Sequence, residues 1–262
     1  MIIYVYSLIK VIYLKNTNFL REHLIAHRGF HNKEKGIPEN SIGAFVEAIR
    51  NNFIIELDIH LLKDGNIVVF HDDNLMRMTN VNKNLKDCTF EEIKDLKLCG
   101  TNYNIPLFKE VLNLINNKVA IVIELKTDKK VGELEKRLVE EIIDYTGEYA
   151  VKSFNPLSVL WFKNNYPNIV RGQLSYNYYD TNFCFFRKVI LKEMLLNIIT
   201  KPDFISYGIK SLPNKRVETI RKEKLILGWT IKNKSDYEYA KKYCDNFICE
   251  NIQNLNIKIN YM

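Results

Sequence analysis

The chain has 262 residues, of which 47% are hydrophobic and 26% are charged. This composition is typical of a folded domain and excludes disordered, collagen-like and low-complexity proteins. Lysine and arginine outnumber aspartate and glutamate by 38 to 31, and the net charge of +7 favours anionic partners; without an arginine-rich stripe or an aromatic RNA-binding motif, no nucleic-acid partner is predicted.

The chain begins with an apolar segment. Lys10 interrupts the apolar run at residues 2–14, which is shorter than the roughly 20 residues needed to span a bilayer. The run also lacks the basic start and the small-residue cleavage site of a secretory signal. We therefore treat residues 1–20 as a separate segment and expect either a helix packed on the domain, which is favoured, or an interfacial anchor that makes peripheral membrane contact.

The cysteines indicate the compartment. Five cysteines are spread through the chain without a C-x-x-C pair, which argues against a structural zinc site and a dithiol redox site. A reducing environment is expected, so we predict a cytoplasmic protein that associates with a membrane only if residues 1–20 form an anchor. No oligomeric state is predicted from the sequence.

From residue 24 onward, β-rich runs alternate with helical runs. Strands are predicted at 24–26, 53–59, 66–70, 119–125, 149–154, 169–174, 203–207, 225–231 and 246–249. Helices are predicted at 41–52, 107–117, 133–144, 157–165, 187–199, 214–223 and 235–243. No linker or internal repeat interrupts the alternation, so residues 21–262 are expected to form one domain.

The nine predicted strands are one more than a (β/α)8 barrel contains. Only twelve residues separate Asp58 from His71, with Asp64 and Gly65 between two β-rich runs. A parallel crossover needs a dozen or more residues and usually a helix, so residues 60–70 are predicted to form a hairpin. The other eight strands predict an α/β fold, the TIM (β/α)8 barrel, with a small β-hairpin insertion after the second strand. A doubly wound sheet would alternate similarly, but no G-x-G-x-x-G turn follows any strand.

Carboxylates within two of the predicted strands indicate a site. Strands buried on both faces should be apolar, yet the run 53–59 places Glu56 and Asp58 on one face, and the run 119–125 carries Glu124 on the matching face. Converging carboxylates repel one another unless a cation joins them. Oxygen ligands favour Mg²⁺ or Ca²⁺ over zinc, whereas a salt bridge or a place on the solvent-exposed rim is the alternative for each acid alone.

Two histidines end strands at the same predicted mouth. His27 follows the run 24–26 and His71 follows the run 66–70, so one imidazole could take a proton from a nucleophile while the other gives one to a leaving oxygen. Arg28 and Lys126 add two cations, a set suited to a phosphate group. The spacing alone therefore indicates metal-assisted chemistry on a phosphoester.

These residues lie in strings that resemble the glycerophosphodiester phosphodiesterase family. The strings are AHRGFHNKEKGIPENSIGAFVEAI, IIELDIHLLKDGNIVVFHDDNLMRMTN, IPLFKEVLNLI, IVIELK and SFNP, in order from about Leu24 to Glu250. The motifs H-R-G, P-E-N, E-x-D, K-D-G, H-D and E-L-K in register make the likeness specific. The resemblance implies a TIM barrel, a bound Mg²⁺ or Ca²⁺, and hydrolysis of small-molecule glycerophosphodiesters to glycerol 3-phosphate and an alcohol.

The resemblance also implies roles for individual residues. They are His27 and His71 as the acid/base pair, Glu56, Asp58 and Glu124 as metal ligands, and Arg28 and Lys126 as phosphate contacts. Trp229 matches an aromatic residue of the substrate pocket, with a place in the core as the nearly equal alternative. Cys249-Glu250 stands where the commoner family pattern has Thr-Asp.

Polar neighbours of these motifs have smaller expected roles. Glu39 is expected to orient the arginine of the H-R-G motif or the surroundings of the metal. Asn40 or Ser41 is expected to cap the helix at 41–52, with Asn40 favoured. Asp72 and Asp73 are read as turn and capping residues, and His60 as a rim or solvent residue.

Two alternative functions stay open. A membrane-acting phosphodiesterase of the lysophospholipase D or phospholipase type is compatible with the apolar start, the basic charge and the aromatic loop 175–187, which could form a lid or a lipid contact. A catalytically inactive phosphate-binding barrel is the other alternative, and the intact set of seven motif residues argues against it.

Overall fold

Eight parallel strands close into a barrel in the computed structural model, which describes residues 15–127 and 130–255. The strands are β1 (Ile25–Ala26), β2 (Ile54–Leu61), β3 (Ile67–Val69), β4 (Ile121–Leu125), β5 (Tyr149–Ser153), β6 (Val170–Ser175), β7 (Phe204–Gly208), β8 (Leu225–Ile231) and β9 (Asn246–Cys249). Strand β1 pairs with both β2 and β9 and so closes the barrel, while β3 pairs antiparallel with β2 outside it. The predicted TIM barrel and its hairpin strand are confirmed.

Helices alternate with the barrel strands. They are α1 (Phe19–Glu22), α2 (Ile42–Arg50), α3 (Met76–Thr79), α4 (Phe90–Ile93), α5 (Phe108–Ile115), α6 (Glu133–Ile142), α7 (Pro156–Asn165), α8 (Phe185–Lys192), α9 (Asn197–Thr200), α10 (Lys215–Arg221) and α11 (Lys234–Ala240). Over residues 15–127 and 130–255, none of them is both long and apolar enough to cross a membrane.

The single helix predicted at 187–199 is wrong, because the chain breaks it into α8 and α9. Met194 lies in the break with a φ of 51°, in the left-handed region that ends a helix. Its side chain is buried in the layer between the barrel and the outer helices. The apolar pattern of the segment continues through the break, so no change of periodicity marks it.

Apolar residues fill the amino-terminal end of the barrel interior. Phe19 and Leu20 of α1 belong to one buried cluster with Ile25, Ile54 and Leu225, which are the first residues of three barrel strands. This plug leaves the carboxyl ends of the strands as the open mouth. Residues 1–14 of the segment predicted as a packed helix or an anchor lie outside the described residues.

The insertion after β2 is larger than the predicted small hairpin. Residues 62–107 contain β3, α3, α4 and two 3₁₀ helices, at Leu85–Asp87 and Leu98–Gly100. They enclose a core of their own, made of Leu62, Val68, Phe70, Leu75, Met78, Leu85, Cys88, Ile93, Leu98 and Ile105. The sequence did not reveal these helices because each is about one turn long, too short for a helical period to develop.

Gly172 on β6 allows the barrel interior to close. The ring of fully buried Phe204 on β7 occupies the place where a Cβ at residue 172 would lie. We therefore expect Gly172→Ala to lower the free energy of unfolding by about 1–3 kcal/mol, measured by urea denaturation, because overpacking forces neighbouring side chains off their rotamers. The compensating Phe204→Leu change in the same chain should recover part of the loss, and a strictly additive double variant would contradict this account.

Candidate active site

Three carboxylates converge inside the mouth of the barrel. Glu56 and Asp58 share the inward face of β2, and the register pairs Asp58 with Glu124 on the adjacent β4. All three residues are at most 5% exposed, and one oxygen from each lies within 4.8 Å of the others. The prediction that acids from two separate strands converge is confirmed.

Two ammonium groups, one half-buried and one fully buried, lie between these carboxylates. Lys126 Nζ lies 2.9 Å from Asp58 Oδ1 and also contacts Glu124. Lys152 Nζ, on β5, lies 2.8 Å from Glu56 Oε1 and 3.4 Å from Glu124 Oε2. Lys152 was not among the predicted site residues, although a charged residue inside a buried parallel strand is a signal for such a role.

The cations keep Asp58 and Glu124 ionised. Burial opposes ionisation of Asp58, but Lys126, His71 and Arg28 outweigh it and hold the pKa of Asp58 well below its ordinary value. Burial likewise opposes ionisation of Glu124, and Lys126 and Lys152 lower its pKa. Burial opposes the charged form of Lys126 too, yet Asp58 and Glu124 raise the pKa of its ammonium group. The site is therefore a charged cluster at neutral pH.

The acidic cluster fits a divalent cation. Within the described part of the chain, Glu56 Oε1 and Asp58 Oδ1 are buried and accept no hydrogen bond of regular geometry, although each lies near an ammonium group. Carboxylate oxygens are the donors that Mg²⁺ and Ca²⁺ prefer. Glu56, Asp58 and Glu124 are thus the residues that could hold such an ion.

Arg28 and Asn40 hold the carboxylates in place. The backbone N–H of Arg28 donates to Glu56 Oε2 at 3.0 Å, and its guanidinium Nε lies 3.5 Å from Asp58 Oδ2. Asn40 Nδ2 donates to the same Asp58 oxygen at 2.9 Å. The expected helix-capping role of Asn40 is wrong, because Ser41 caps α2 by accepting the N–H of Ala44.

Each of the two histidines has a carboxylate at Nδ1. His27 Nδ1 lies 2.7 Å from Glu250 Oε1, while its Nε2 lies 4.0 Å from Glu56 Oε2. His71 Nδ1 lies 2.6 Å from Asp72 Oδ1. A carboxylate at Nδ1 favours the tautomer with the proton on that nitrogen and leaves Nε2 free to exchange a proton. Asp72, expected as a turn or capping residue, contacts His71, and no role was predicted for Glu250.

Glu39 links the site to the insertion. It accepts hydrogen bonds from Arg28 Nη1 at 2.6 Å and from Arg77 Nη2 at 2.7 Å. Burial opposes its ionisation, but the two guanidinium groups outweigh it and lower the pKa of Glu39 from 4.5 to about 2. The expectation that Glu39 orients the H-R-G arginine agrees with this geometry.

The lowered pKa of Glu39 gives a pH-dependent stability. A carboxyl group with a lowered folded-state pKa stabilises fully above its ordinary pKa and loses that contribution as the pH falls through the folded value. We expect Glu39→Gln to be less stable than wild type by about 2–3 kcal/mol at pH 7, and the difference to shrink between pH 4.5 and about 2. Urea unfolding across this range measures the difference.

Glu47→Gln is the matched control for that series. Glu47 forms a surface ion pair with Arg50 one helical turn away. Such pairs contribute about 0.5 kcal/mol or less, so the control should show a small effect. A difference between Glu39→Gln and wild type that stayed constant down to pH 2 would contradict the assignment.

A cavity of about 1510 Å³ opens beside the acids. Its wall includes His71, Glu124 and Lys126 together with the aromatic side chains of Phe154, Tyr176, Tyr178, Phe183 and Trp229. The Trp229 ring packs edge-on against Phe154 and Tyr176, with centroids 5.6 and 6.0 Å away. The structure thus places Trp229 in the cavity wall, beside the proposed chemistry.

His60 differs from its expected rim position. It is 6% exposed, and its Nε2 lies 3.2 Å from the backbone oxygen of His71. Burial lowers the pKa of His60. The residue lies on β2 beyond the acids, where the insertion covers it, and the sequence pattern did not reveal that cover.

Comparisons with known proteins identify relatives of the chain. Residues 27–252 match the sequence model of the glycerophosphoryl diester phosphodiesterase family. A putative glycerophosphodiester phosphodiesterase of Bacillus subtilis is 34% identical over 197 residues, covering 67% of this chain and 78% of that protein. The glycerophosphodiester phosphodiesterase of Caldanaerobacter subterraneus is 38% identical over 164 residues, covering 58% of this chain and 65% of that protein, slightly under two thirds of its length. The human lysophospholipase D GDPD1 is 35% identical over 151 residues, covering 51% of this chain and 46% of that protein.

Solved structures share the fold. A phosphodiesterase from Oleispira antarctica, solved in complex with the product sn-glycerol-3-phosphate, has a TM-score of 0.74 at 21% identity and covers 88% of this chain and 93% of its own. A putative glycerophosphodiester phosphodiesterase from Galdieria sulphuraria has a TM-score of 0.72 at 22% identity and covers 87% and 93%. These likenesses agree with the barrel described above.

Proposed function

Because the chain belongs to the glycerophosphoryl diester phosphodiesterase family, we propose that it hydrolyses glycerophosphodiesters to glycerol 3-phosphate and an alcohol, with His27 and His71 as the acid/base pair. The observation that carries the proposal is the convergence of three buried carboxylates beside two carboxylate-bound histidines at the barrel mouth. The Oleispira antarctica phosphodiesterase, solved in complex with the product sn-glycerol-3-phosphate, supports the same product class.

The histidines would move the protons of the reaction. Nδ1 of each ring faces a carboxylate, Glu250 for His27 and Asp72 for His71, which holds the ring and stabilises its positive charge when Nε2 is protonated. One Nε2 would take the proton of the attacking hydroxyl, and the other would protonate the departing alcohol oxygen. Either histidine can act as the base in the first step.

Glu56, Asp58 and Glu124 would hold a divalent cation, for which we propose Mg²⁺ or Ca²⁺. When bound, the cation supplies Lewis-acid polarisation of the phosphate and of a glycerol hydroxyl. Arg28 fixes Glu56 through its backbone N–H, and Lys126 offers an ammonium group to a phosphate oxygen at the edge of the cavity. Trp229 would pack against the substrate as part of the cavity wall.

Two routes use these groups. Attack by the glycerol hydroxyl would form a cyclic phosphate and release the alcohol, after which water would open the ring with the histidine roles exchanged. Direct attack by water would release both products in one step. Detection of a cyclic glycerol phosphate by ³¹P nuclear magnetic resonance during turnover would distinguish the first route from the second.

The proposed activity is tested with the full chain and a panel of glycerophosphodiesters that differ in the headgroup alcohol. We expect glycerol 3-phosphate to be released with Mg²⁺ or Ca²⁺ and the release to stop with EDTA. Failure to cleave any substrate with Mg²⁺, Ca²⁺ or Mn²⁺ would contradict the proposal and favour a phosphate-binding barrel instead.

A lysophospholipase D-type activity is the second candidate. The aromatic wall of the cavity could accept an acyl chain, and the human relative carries the name of that activity. Cleavage of lysophosphatidylcholine at a higher kcat/KM than glycerophosphocholine would favour it, whereas cleavage of the soluble substrate alone would favour the first candidate.

A further inference from the structure

An exposed apolar and basic surface lies beside the cavity mouth. We call it the rim surface, and its residues are Tyr179, Phe185, Phe186, Arg187 and Lys188. Four of these residues belong to α8. In the described part of the chain, α8 is the one helix of seven or more residues that has no buried side chain. Phe185 and Phe186 are 74% and 77% exposed and Tyr179 is 72% exposed.

The exposed rings of Phe185 and Phe186 form one aromatic patch. The rings of Phe185 and Phe186 pack edge-to-face with centroids 5.9 Å apart, so together they present a continuous apolar area to solvent. Exposing adjacent aromatic side chains is unfavourable in water, and contiguous patches of this kind mark interaction sites. The patch is therefore a candidate for burial against a partner.

The charges next to the patch indicate the partner. Over residues 15–127 and 130–255, neither Arg187 nor Lys188 has a carboxylate within 4 Å, although the Arg187 guanidinium lies 3.8 Å from the centroid of the Phe183 ring. Glu193, which follows α8, pairs with Lys192. Aromatic side chains interleaved with uncompensated cations are the composition of helices that bind anionic membrane surfaces, whereas lysine is depleted in protein interfaces.

The rim surface and the cavity are parts of one structure. Tyr178, Phe183, Arg187 and Leu191 line the cavity. Ser175, the last residue of β6, donates its hydroxyl to the backbone oxygen of Leu191 at 2.7 Å, which fixes α8 at the carboxyl ends of the strands. A flat partner on the rim surface would therefore lie against the opening of the cavity.

We propose that the rim surface docks the barrel mouth onto an anionic lipid bilayer, with Phe185 and Phe186 entering the headgroup region and Arg187 and Lys188 contacting lipid phosphates. The inference goes beyond the proposed reaction and does not require it. The experiment measures binding separately from turnover, so either proposal can fail alone.

The test is cosedimentation of the full chain with vesicles. We expect binding to vesicles of phosphatidylglycerol and phosphatidylcholine, weaker binding in raised salt, and little binding to pure phosphatidylcholine. Phe185→Ser/Phe186→Ser and Arg187→Gln/Lys188→Gln should each weaken binding about tenfold or more. The first double variant should keep its turnover of a soluble glycerophosphodiester, because neither phenylalanine lines the cavity.

Ile198→Ser/Ile199→Ser is the matched control. These residues of α9 are 75% and 53% exposed, but α9 packs towards the amino-terminal ends of the strands, where Arg171 donates to the backbone oxygen of Lys201. Binding of the control should equal that of wild type. Equal binding by all variants, absence of vesicle binding by wild type, or a dimer in light scattering that Phe185→Ser/Phe186→Ser dissociates would overturn the proposal.

Discussion

His27→Gln and His71→Gln are each expected to lower kcat for glycerophosphodiester cleavage about 10²- to 10⁴-fold, the usual contribution of a positioned general acid or base. Glutamine keeps a hydrogen-bonding group near the partner carboxylate but cannot take up a proton at neutral pH. Both rings are partly exposed at the barrel mouth and neither belongs to the apolar core, so the fold should persist. Steady-state turnover and circular dichroism of each variant measure the two expectations.

Substrates with different leaving groups distinguish the roles of the two histidines. A substrate whose alcohol has a low pKa needs no proton on departure, so the variant that lost the general acid should regain activity on a nitrophenyl ester. The variant that lost the general base should stay slow on both substrates. Equal losses on both substrates for both variants would argue against a division of roles.

His23→Gln is the control for these variants. His23 lies at the opposite end of the barrel, where its backbone oxygen accepts a hydrogen bond from Asn246. Its substitution should leave kcat within about twofold of wild type, because a group remote from the substrate supplies no transition-state interaction. Full activity in His27→Gln or in His71→Gln would remove that residue from the proposed pair.

The barrel and its acids were predictable because the fold imposes simple periods on the sequence. The strict alternation in β2 put Glu56 and Asp58 on the face opposite to three apolar residues, and a buried parallel strand tolerates acids only on an inward, functional face. The spacing of the hairpin likewise excluded a parallel crossover. Such local rules do not depend on distant parts of the chain.

The missed features depend on contacts between distant segments. Lys152 lies inward on β5, but only its closeness to Glu56 on β2 shows that it neutralises the acids. Glu250 lies 223 positions from His27 in the sequence. The burial of His60 likewise follows from the insertion that covers it. The hydrophobic periodicity of a strand or helix carries no information about such long-range pairings, so the structure was needed to identify them.

Lys152→Met is expected to destabilise the chain in EDTA by about 3–5 kcal/mol, because it removes an ammonium partner from two buried carboxylates, Glu56 and Glu124. The Lys152 side chain is 2% exposed and its ammonium group contacts both Glu56 and Glu124. Methionine fills a similar volume, so loss of packing contributes little. Thermal unfolding in EDTA measures the effect.

A divalent cation should restore much of the stability that Lys152→Met loses. The size of this recovery tests whether Glu56, Asp58 and Glu124 form the cation site. A ligand that binds only the folded chain stabilises it by about 2.7 kcal/mol at a hundred times its Kd. Removing the ammonium group beside two proposed ligands also strengthens their attraction for a cation, so Mg²⁺ or Ca²⁺ should raise the Tm of Lys152→Met more than that of wild type.

Lys15→Met shows whether such recovery is specific to the acidic cluster. Lys15 Nζ contacts Asp203 Oδ2 at 2.7 Å at the amino-terminal end of the barrel, outside the carboxylate cluster. Its loss should also lower the Tm, but added Mg²⁺ or Ca²⁺ should change that Tm no more than the wild-type Tm. If the cations stabilised Lys15→Met as much as Lys152→Met, they would act generally on the protein and not through Glu56, Asp58 and Glu124.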